Sequence, residues 1–417
     1  MTGTFTFVHA ADVHLDSPLS GLGRKNEAFA QLVRGATRRA FSNVVDLAID
    51  EGADFVVVSG DLYDGTWKDH ATGQFAVRQF ARLARAGIRS FIIYGNHDAE
   101  SRVTRHLALP EGVHAFDNRQ CETVDLADLG VAIHGRSYKE AATFENIAST
   151  YCPPTPGRFN LPLLHTALEG HAAHTHYAPC TIDELVASGH DYWALGHVHE
   201  PSVRGESPYI VYPGNTQGRS VREIGPKGAM LVRVADGIVR SIEPRACDEA
   251  RWARLRIDAS GASNMTELLN GVRRGVEDEL ARADGRPVAV RLQVEARGEL
   301  ASQLLADGSW FEAEAQNQAT IAGEGAWIEK VTIETSHNAP LRGLPPELAE
   351  LFAQALDDPD CMRAVQEAAA PILLKLPVDA IDSETAPLVA AAKAQDGAAL
   401  VAAARAAVAA KLDFEAS

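Results

Sequence analysis

The sequence has few cysteines, no long apolar run and fewer basic than acidic residues. Its five cysteines stand at positions 121, 152, 180, 247 and 361. This scatter excludes a Cys-x-x-Cys metal or redox site, so we expect reduced thiols. No run approaches the roughly 18 uninterrupted apolar residues that a transmembrane helix requires. The first nine residues lack the basic-then-apolar order of a signal peptide and predict a first strand. These absences predict a cytoplasmic protein with no membrane partner.

The deficit of basic residues limits how the chain can bind other molecules. Its 39 Lys and Arg face 56 Asp and Glu, and the formal net charge is −17. This balance argues against a general polyanion-binding surface, because nonspecific nucleic-acid affinity comes mainly from Lys and Arg that neutralise phosphates. Any nucleic acid must therefore be held locally or with help. Bound metal ions would make the electrostatic potential within a pocket positive, although the chain as a whole is acidic.

The chain does contain an ordered series of possible metal ligands, each placed after a strand-like apolar run. Residues 55–58 and 91–94 have the length and the β-branched or aromatic bias of buried strands. Open α/β sheets bind ligands outside the carboxyl ends of their strands, so separate blocks can converge on one pocket. Five blocks supply the candidate metal ligands Asp12, His14, Asp61, Asn96, His165, His197 and His199.

Carboxylates, imidazoles and an amide in this order are typical of a two-metal centre. Two divalent ions about 3.5 to 4 Å apart can clamp the attacking and leaving oxygens at phosphorus. One allocation gives the first ion Asp12, His14 and His199. It gives the second Asn96, His165 and His197, with Asp61 bridging. Mixed oxygen and nitrogen ligands favour Mn²⁺, Fe²⁺ or Zn²⁺ over Mg²⁺ and Ca²⁺.

Each block taken singly also has a plainer explanation. The pair Gly60-Asp61 is typical of a turn, Asn96 of a left-handed position after glycine, and His165 of a core histidine. Five such blocks in order, each after a strand, favour the metal centre.

Two residues beside Asn96 complete the predicted chemistry. We assign His97 as the acid that protonates the leaving oxygen or stabilises charge on the phosphorane. We assign Asp98 to orient the His97 ring and hold it cationic. The alternative is that Asp98 only caps the next helix.

Other polar groups are less specific. The cluster His171, His174 and His176 could bind another metal or contact substrate, but it is also typical of a polar loop. Arg219 and Arg222 lie in a glycine-containing loop that either grips a phosphate backbone or is a solvated turn. Asp16 and Asp64 lie near the motifs and are expected to cap or orient.

The pattern along the chain predicts three regions. Residues 1–245 alternate strand-like and helix-like stretches, which predicts a layered α/β domain. Residues 250–338 predict a separate α+β unit, and residues 339–417 are rich in Ala and Leu and predict helices. The predicted helices cover 27–49, 69–86, 140–150, 266–283, 346–355, 362–370 and 387–412. The predicted strands include 55–59, 90–94, 120–126, 131–137, 209–212, 229–234, 238–244, 253–257 and 287–294. Asp236-Gly237 is expected to form a hairpin turn.

The series Asp-x-His, Gly-Asp, Gly-Asn-His-Asp, His, Gly-His-x-His resembles that of the calcineurin-like metallophosphoesterase superfamily. Residues 7–18, 196–201 and 214–219 resemble its bacterial DNA repair exonuclease branch, which includes the SbcD-like nucleases and, closer still, the YhaO type. Asp16 stands where SbcD-like chains typically have glycine, and this favours the YhaO type.

The resemblance implies an α/β/β/α sandwich with a small α+β capping domain and a helical C-terminal tail. It also implies a Mn²⁺-dependent DNA exonuclease that attacks a phosphodiester with metal-activated hydroxide. A homodimer and an SMC-like coiled-coil ATPase partner are implied as well, with the tail as a candidate docking element. Two alternatives stay open: a phosphoesterase that acts on nucleotides or cyclic nucleotides, and a scaffold that has lost its chemistry. The complete ligand set argues against the scaffold.

Overall fold

The computed structural model describes residues 3–17, 19, 27–65, 70–99, 108–168, 177–335, 358–375 and 385–401. The chain divides into two compact units, Met1–Trp252 and Ala253–Ser417. Within the described ranges, every helix is too short or too polar to cross a membrane.

The strands are β1 (Phe5–Ala10), β2 (Phe55–Ser59), β3 (Arg89–Ile93), β4 (Val113–Ala115), β5 (Glu122–Leu126), β6 (Val131–Gly135), β7 (Phe159–His165), β8 (Tyr192–Gly196), β9 (Ser202–Arg204), β10 (Tyr209–Tyr212), β11 (Gly228–Ala235), β12 (Ile238–Ala246), β13 (Arg251–Asp258), β14 (Val288–Ala296) and β15 (Ala326–Thr335). The helices are α1 (Glu27–Val33), α2 (Ala36–Asp50), α3 (His70–Arg85), α4 (Asn96–Ala99), α5 (Ile182–Ala187), α6 (Met265–Arg282), α7 (Gly298–Ala306), α8 (Gly308–Ala322), α9 (Pro359–Leu373) and α10 (Thr385–Ala394). Short 3-10 turns cover Ala148–Thr150 and Ala259–Gly261.

The first unit contains two six-stranded sheets. Sheet 1 has the order β12-β11-β1-β2-β3-β4, and sheet 2 has the order β5-β6-β7-β8-β10-β9. Strands β1 to β4 are parallel, as are β6, β7, β8 and β10. The parallel strands that carry the candidate ligands therefore end at one edge of each sheet.

The apolar runs of the sequence are explained by burial of both faces of sheet 1. In β2, Phe55 and Val57 pack toward sheet 2, whereas Val56 and Val58 pack in the core that includes α2 and α3. The outer face of sheet 2 packs against α5 through Leu185 and neighbouring apolar residues. The layers are thus helix, sheet, sheet and helix, and the predicted fold class is confirmed.

The register of β1 against β2 places the first two ligand blocks together. Phe7 pairs with Phe55 in the parallel ladder, and their rings stack with centroids 5.1 Å apart. Such an aromatic pair adds about 0.5 to 1.5 kcal/mol beyond burial of its area. Beyond the strands, Asp12 N donates to Gly60 O at 3.0 Å, and this contact joins the first loop to the second.

Three local predictions have clear outcomes. Asp236 and Gly237 both have positive φ, 56° and 71°, so the hairpin turn is confirmed. The helix predicted over 27–49 is interrupted, because Gly35 takes a left-handed φ of 73° between α1 and α2. The helix predicted over 140–150 is wrong except for its last turn. Before that turn the Thr143 carbonyl accepts from the backbone amide of Ala178 at 2.8 Å, and the Thr143 hydroxyl donates to the Glu140 carbonyl. Both bonds compete with a regular helix.

The second unit holds a three-stranded sheet of order β13-β14-β15, with β14 parallel to β15. Its core joins Leu268, Val272 and Val276 of α6 to Val290 and Leu292 of β14. Helices α7 and α8 and strand β15 were not predicted individually. The helices α9 and α10 contact each other. The helix predicted over 346–355 lies outside the described residues.

Candidate two-metal site

The predicted ligands lie at the carboxyl ends of five strands. Asp12 and His14 follow β1, Asp61 follows β2, and Asn96 opens α4 after β3. His165 is the last residue of β7, whereas His197 and His199 follow β8. Asp12, His14, Asp61, Asn96, His165 and His197 are buried.

Several of these ligands have unusual backbone conformations. Asp12, His14, Asp61 and His197 have φ values of 50°, 45°, 53° and 96°. Non-glycine residues in this region cost of order 1 kcal/mol or more each and cluster at functional sites. Contacts between loops help to hold them, since His14 N donates to Asp61 O at 3.0 Å and His197 N donates to Asp12 Oδ2 at 3.0 Å.

One triad comprises Asp12, His14 and His199, whose candidate ligand atoms all lie within 4.8 Å of one another. The Nε2 atoms of His14 and His199 are 3.2 Å apart, and Oδ1 of Asp12 lies 3.8 Å from Nε2 of His199. Two imidazole nitrogens and a carboxylate that converge on one buried point suit a divalent cation.

A second triad comprises Asp61, His165 and His197, again with ligand atoms within 4.8 Å. Asn96 Oδ1 lies 3.0 Å from His165 Nε2 and adds an amide oxygen. Oδ2 of Asp61 lies 3.4 Å from His165 Nε2 and 3.8 Å from His14 Nε2. Asp61 therefore belongs to the second triad and also lies close to His14 of the first.

Asp61 and His165 shift each other's pKa values because they lie close together in a buried site. Burial alone would raise the pKa of Asp61, but the neighbouring histidines, His165 first, hold that pKa well below its ordinary value. Burial likewise opposes charge on His165, yet Asp61 raises the pKa of His165 to about 9. For Asp12, burial is the largest influence and raises its pKa.

The glycines of the ligand motifs make room for His165. A Cβ at Gly60 would press into the His165 ring, and one at Gly95 would lie 2.8 Å from His165 Nε2. At Gly196 an added Cβ would lie 2.9 Å from His165 Nδ1 and would also press into the carbonyl of Ser59. At all three positions a Cβ would collide with His165, and at Gly95 it would also press into the Asp61 carboxylate.

His97 lies at the rim, with 39% of its side chain exposed. Its ring packs edge-on against His14 at 4.8 Å between centroids, and its Nδ1 lies 3.3 Å from Oδ1 of Asp64. This position beside the first triad suits a proton donor to a leaving group.

The prediction that Asp98 orients His97 is wrong. The Asp98 carboxylate accepts hydrogen bonds from the amides of Leu62, Tyr63 and Gly95 at 3.2, 2.8 and 2.9 Å. Its position in the single turn of α4 directs it inward beneath the loop after β2. Burial raises the pKa of Asp98 to about 7. Asp98 thus links the loop after β2 to the loop after β3 through hydrogen bonds. This role is closer to the capping alternative.

Known proteins resemble this chain along most of its length. The model of the calcineurin-like phosphoesterase family matches residues 5–201, and that of the middle domain of metallophosphoesterase YhaO matches residues 252–336. The chain is 35% identical over 364 residues to an uncharacterized metallophosphoesterase YhaO from Bacillus subtilis (strain 168), covering 84% of this chain and 87% of that protein. The chain belongs to the calcineurin-like metallophosphoesterase family. The predicted family is confirmed.

More distant relatives of this phosphoesterase include the DNA double-strand break repair protein Mre11 from Methanopyrus kandleri. The two are 26% identical over 298 residues, which cover 64% of this chain and 62% of that protein. Among solved structures, a dimetal phosphatase from Danio rerio is 11% identical and covers 56% of this chain and 93% of its own, with a TM-score of 0.33.

Family membership and the two triads together imply divalent metal ions in this phosphoesterase. The donors present are carboxylate oxygens, imidazole nitrogens and one amide oxygen, which fit such ions. Asp12, His14 and His199 would hold the first ion, and Asn96, His165 and His197 the second, with Asp61 shared. The family is one of phosphoester hydrolases.

The residues behind the ligands were only partly anticipated. Nδ1 of His165 bonds the carbonyl of Ser59 at 2.9 Å, and Nδ1 of His14 lies 3.2 Å from Asp64 Oδ1. Nδ1 of His199 lies 2.7 Å from Oε1 of Glu223. Sequence reasoning missed Glu223, although its position in the loop that holds Arg219 and Arg222 was a possible indication.

The remaining predicted residues have different outcomes. Arg219 Nη1 lies 3.2 Å from Ser17 Oγ and 3.4 Å from Asp64 Oδ1, whereas Arg222 is exposed. Asp16 forms a two-point ion pair with Arg38 of α2. The cluster His171, His174 and His176 lies outside the described residues.

Proposed function

We propose that this phosphoesterase is a two-metal-dependent DNA exonuclease that acts in DNA repair. The position of Asp61 near both His14 and His165 carries the proposal, because a carboxylate shared by two divalent cations would fit them for displacement at phosphorus. Similarity to Mre11 supports DNA as the substrate. The mixed oxygen and nitrogen donors support Mn²⁺.

The roles of the protein's own residues follow from their positions. Two divalent ions held by the ligands would supply activation of a water molecule and offset charge on the phosphate oxygens. His97, placed at the rim beside Asp64, protonates the leaving oxygen. Arg222 is exposed in the loop that follows β10 and contacts a phosphate of the DNA backbone. Arg219, predicted to share that role, already contacts Ser17 and Asp64.

The acidic balance of the chain supports a partner that supplies DNA-binding surface. With a net charge of −17, most of the protein would repel DNA outside the metal pocket. We therefore propose an SMC-like coiled-coil ATPase as the partner, with the tail that includes α9 and α10 as the docking element. A homodimer and a cytoplasmic location complete the proposal.

End-labelled DNA tests the proposed activity. Single- and double-stranded substrates labelled at either end are incubated with Mn²⁺ and protein, and His97→Gln is assayed beside the wild type at equal metal content. We expect stepwise loss of nucleotides from one end by the wild type, and loss of at least about 100-fold in the variant.

Three other results would change the proposal. Hydrolysis of nucleotides or cyclic nucleotides by a metal-loaded protein that leaves DNA intact, with and without the ATPase, would establish a small-molecule phosphoesterase instead. Unchanged DNA degradation by His97→Gln would remove His97 from the chemistry. Co-purification with the ATPase after deletion of residues 340–417 would contradict the docking role of the tail.

A further inference from the structure

Glu223 lies directly behind His199, on the side away from the first metal position. Its Oε1 is 2.7 Å from Nδ1 of His199, and only 14% of its side chain is exposed. Its Oε2 accepts hydrogen bonds from the side-chain amide of Asn215 at 2.9 Å and from the backbone amide of Arg219 at 2.7 Å. Both carboxylate oxygens are therefore held, and the carboxylate has a defined orientation.

Arg219 connects this carboxylate with the one beside His97. Its Nη1 lies 3.4 Å from Oδ1 of Asp64, and its Nη2 lies 3.7 Å from Oε1 of Glu223. Asp64 in turn lies 3.2 Å from Nδ1 of His14. Both histidines of the first triad are thus backed by carboxylates, and one guanidinium lies between those carboxylates.

The second triad is supported differently. Nδ1 of His165 donates to the backbone carbonyl of Ser59, which is neutral and belongs to β2. A carboxylate behind an imidazole fixes its tautomer, orients its ring and makes its other nitrogen a stronger ligand. The two metal positions therefore differ in what holds their histidines.

We propose that Glu223 is a positioning residue for the first metal position, and that Arg219 couples it to Asp64. Glu223 orients His199 so that its Nε2 faces the first metal position. Arg219 fixes the carboxylates of Glu223 and Asp64 relative to each other. The inference rests on the two metal positions of the proposed function but not on DNA as substrate. Metal binding can therefore test it even where the nuclease assay fails.

The test counts bound Mn²⁺ per chain over a series of free Mn²⁺ concentrations. We expect two ions in the wild type. We expect Glu223→Ala to weaken one of them by on the order of 10- to 100-fold. Glu223→Gln should show a smaller loss, because the amide oxygen still accepts from His199. Electron paramagnetic resonance is recorded at a Mn²⁺ concentration that fills both positions of the wild type but not a weakened one. The wild type should then show a coupled Mn²⁺ pair, and Glu223→Ala should show a single bound ion.

A control variant removes a more exposed glutamate that also forms an ion pair in the first unit. Glu243 of β12 forms an ion pair with Arg233 at 2.7 Å and is 44% exposed. Glu243→Ala should bind two Mn²⁺ ions like the wild type. Circular dichroism and thermal unfolding of the metal-free proteins check that each variant is folded. If Glu223→Ala fails to fold, the milder Glu223→Gln carries the test.

A double variant identifies the affected position. His165→Ala should lose the second ion, so His165→Ala combined with Glu223→Ala should bind no ion tightly. A double variant that keeps one tight ion would place Glu223 at the same position as His165 and overturn the proposal. Wild-type affinity for both ions in Glu223→Ala would also overturn it.

The coupling through Arg219 has its own measurement. Arg219→Ala should weaken the same ion, and its effect combined with Glu223→Ala should be smaller than the sum of the two single effects. If Arg219 instead contacts only DNA phosphate, the variant should bind Mn²⁺ normally, and its DNA affinity should depend less steeply on salt concentration by about one unit of log–log slope.

Discussion

His97 Nδ1 lies 3.3 Å from Asp64 Oδ1, and that same oxygen lies 3.2 Å from Nδ1 of His14. One carboxylate thus supports both the proposed proton donor and a candidate metal ligand. Burial opposes its charge, but the hydrogen bond and charge of His14 and the charge of Arg219 lower the pKa of Asp64 to about 2. Asp64 is therefore ionised at neutral pH and can stabilise a cationic His97.

We predict that Asp64→Asn lowers kcat by about 10- to 100-fold with a smaller change in KM, because general acids contribute about 100- to 10,000-fold and the ring itself remains. Steady-state rates and the alkaline limb of the pH–rate profile, where a general acid loses its proton, measure this effect. Asp64→Asn with an unchanged kcat would show that His97 does not depend on this carboxylate.

We predict that Asp98→Ala mainly lowers the free energy of unfolding. Three amide donors lose their acceptor, and each buried unsatisfied group costs about 1 to 3 kcal/mol. Urea unfolding of the metal-free protein measures the loss. Asp128→Ala is the control, since that carboxylate is 64% exposed and pairs with Arg89 at the surface. Equal stabilities of the two variants would contradict the bracing role of Asp98.

We predict that Gly196→Ala destabilises the protein and weakens the second metal position. The added methyl group would meet the Ser59 carbonyl and the His165 ring, and such overpacking costs about 1 to 3 kcal/mol. Urea unfolding and Mn²⁺ counts measure both effects. Gly261→Ala is the matched control, because a Cβ there meets nothing within 4 Å. Normal Mn²⁺ binding by Gly196→Ala would show that the loop can shift without disturbing His165.

We predict that removal of divalent metal lowers the unfolding temperature. An ion that binds only the folded state stabilises it by about 2.7 kcal/mol at a free concentration of 100 times its Kd. Scanning calorimetry with and without a chelator measures the shift. His165→Ala combined with His199→Ala should show almost no shift. A shift of wild-type size in that double variant would place the metal elsewhere.

We predict that the metal-free protein loses stability as the pH falls below about 6.5, the ordinary pKa of histidine. Burial lowers the pKa of His9 to about 3 and that of His190 to about 4. Because these folded-state pKa values lie below the unfolded one, the unfolded chain binds more protons at acidic pH. The stabilisation from each such histidine is complete above about pH 6.5 and falls by about 1.4 kcal/mol per pH unit below it. Asp98, whose pKa burial raises to about 7, offsets the share of one histidine in this range.

Urea unfolding between about pH 7.5 and pH 4.5 tests this dependence. His190→Gln removes one titrating group and should give a shallower slope than the wild type. Parallel slopes would show that His190 takes up no proton on unfolding.

The sequence predicted the strands that carry the ligands because their information is local. Residues 55–58 and 91–94 are continuous apolar runs, and a strand buried on both faces requires such a run wherever it lies. The turn at Asp236-Gly237 was equally local, since both of its central residues tolerate positive φ.

Other features depended on groups that are distant along the chain. Asp64 faces His97 from 33 positions away, and Glu223 faces His199 from 24. Adjacency instead suggested Asp98 as the partner of His97, but the turn of α4 directs that carboxylate to three backbone amides. The helix predicted over 140–150 also failed, and there the Thr143 carbonyl accepts from the distant backbone amide of Ala178.

The sequence by itself therefore determined the layered fold and the order and chemistry of the candidate ligands, because apolar runs and motif spacing are properties of short segments. Only the tertiary structure decided which carboxylate stands behind which histidine. That choice depends on how the loops after β1, β2, β3, β8 and β10 meet at the edges of two sheets. A hydrogen bond of 2.7 Å, such as that between His199 and Glu223, is set by this meeting and not by sequence separation.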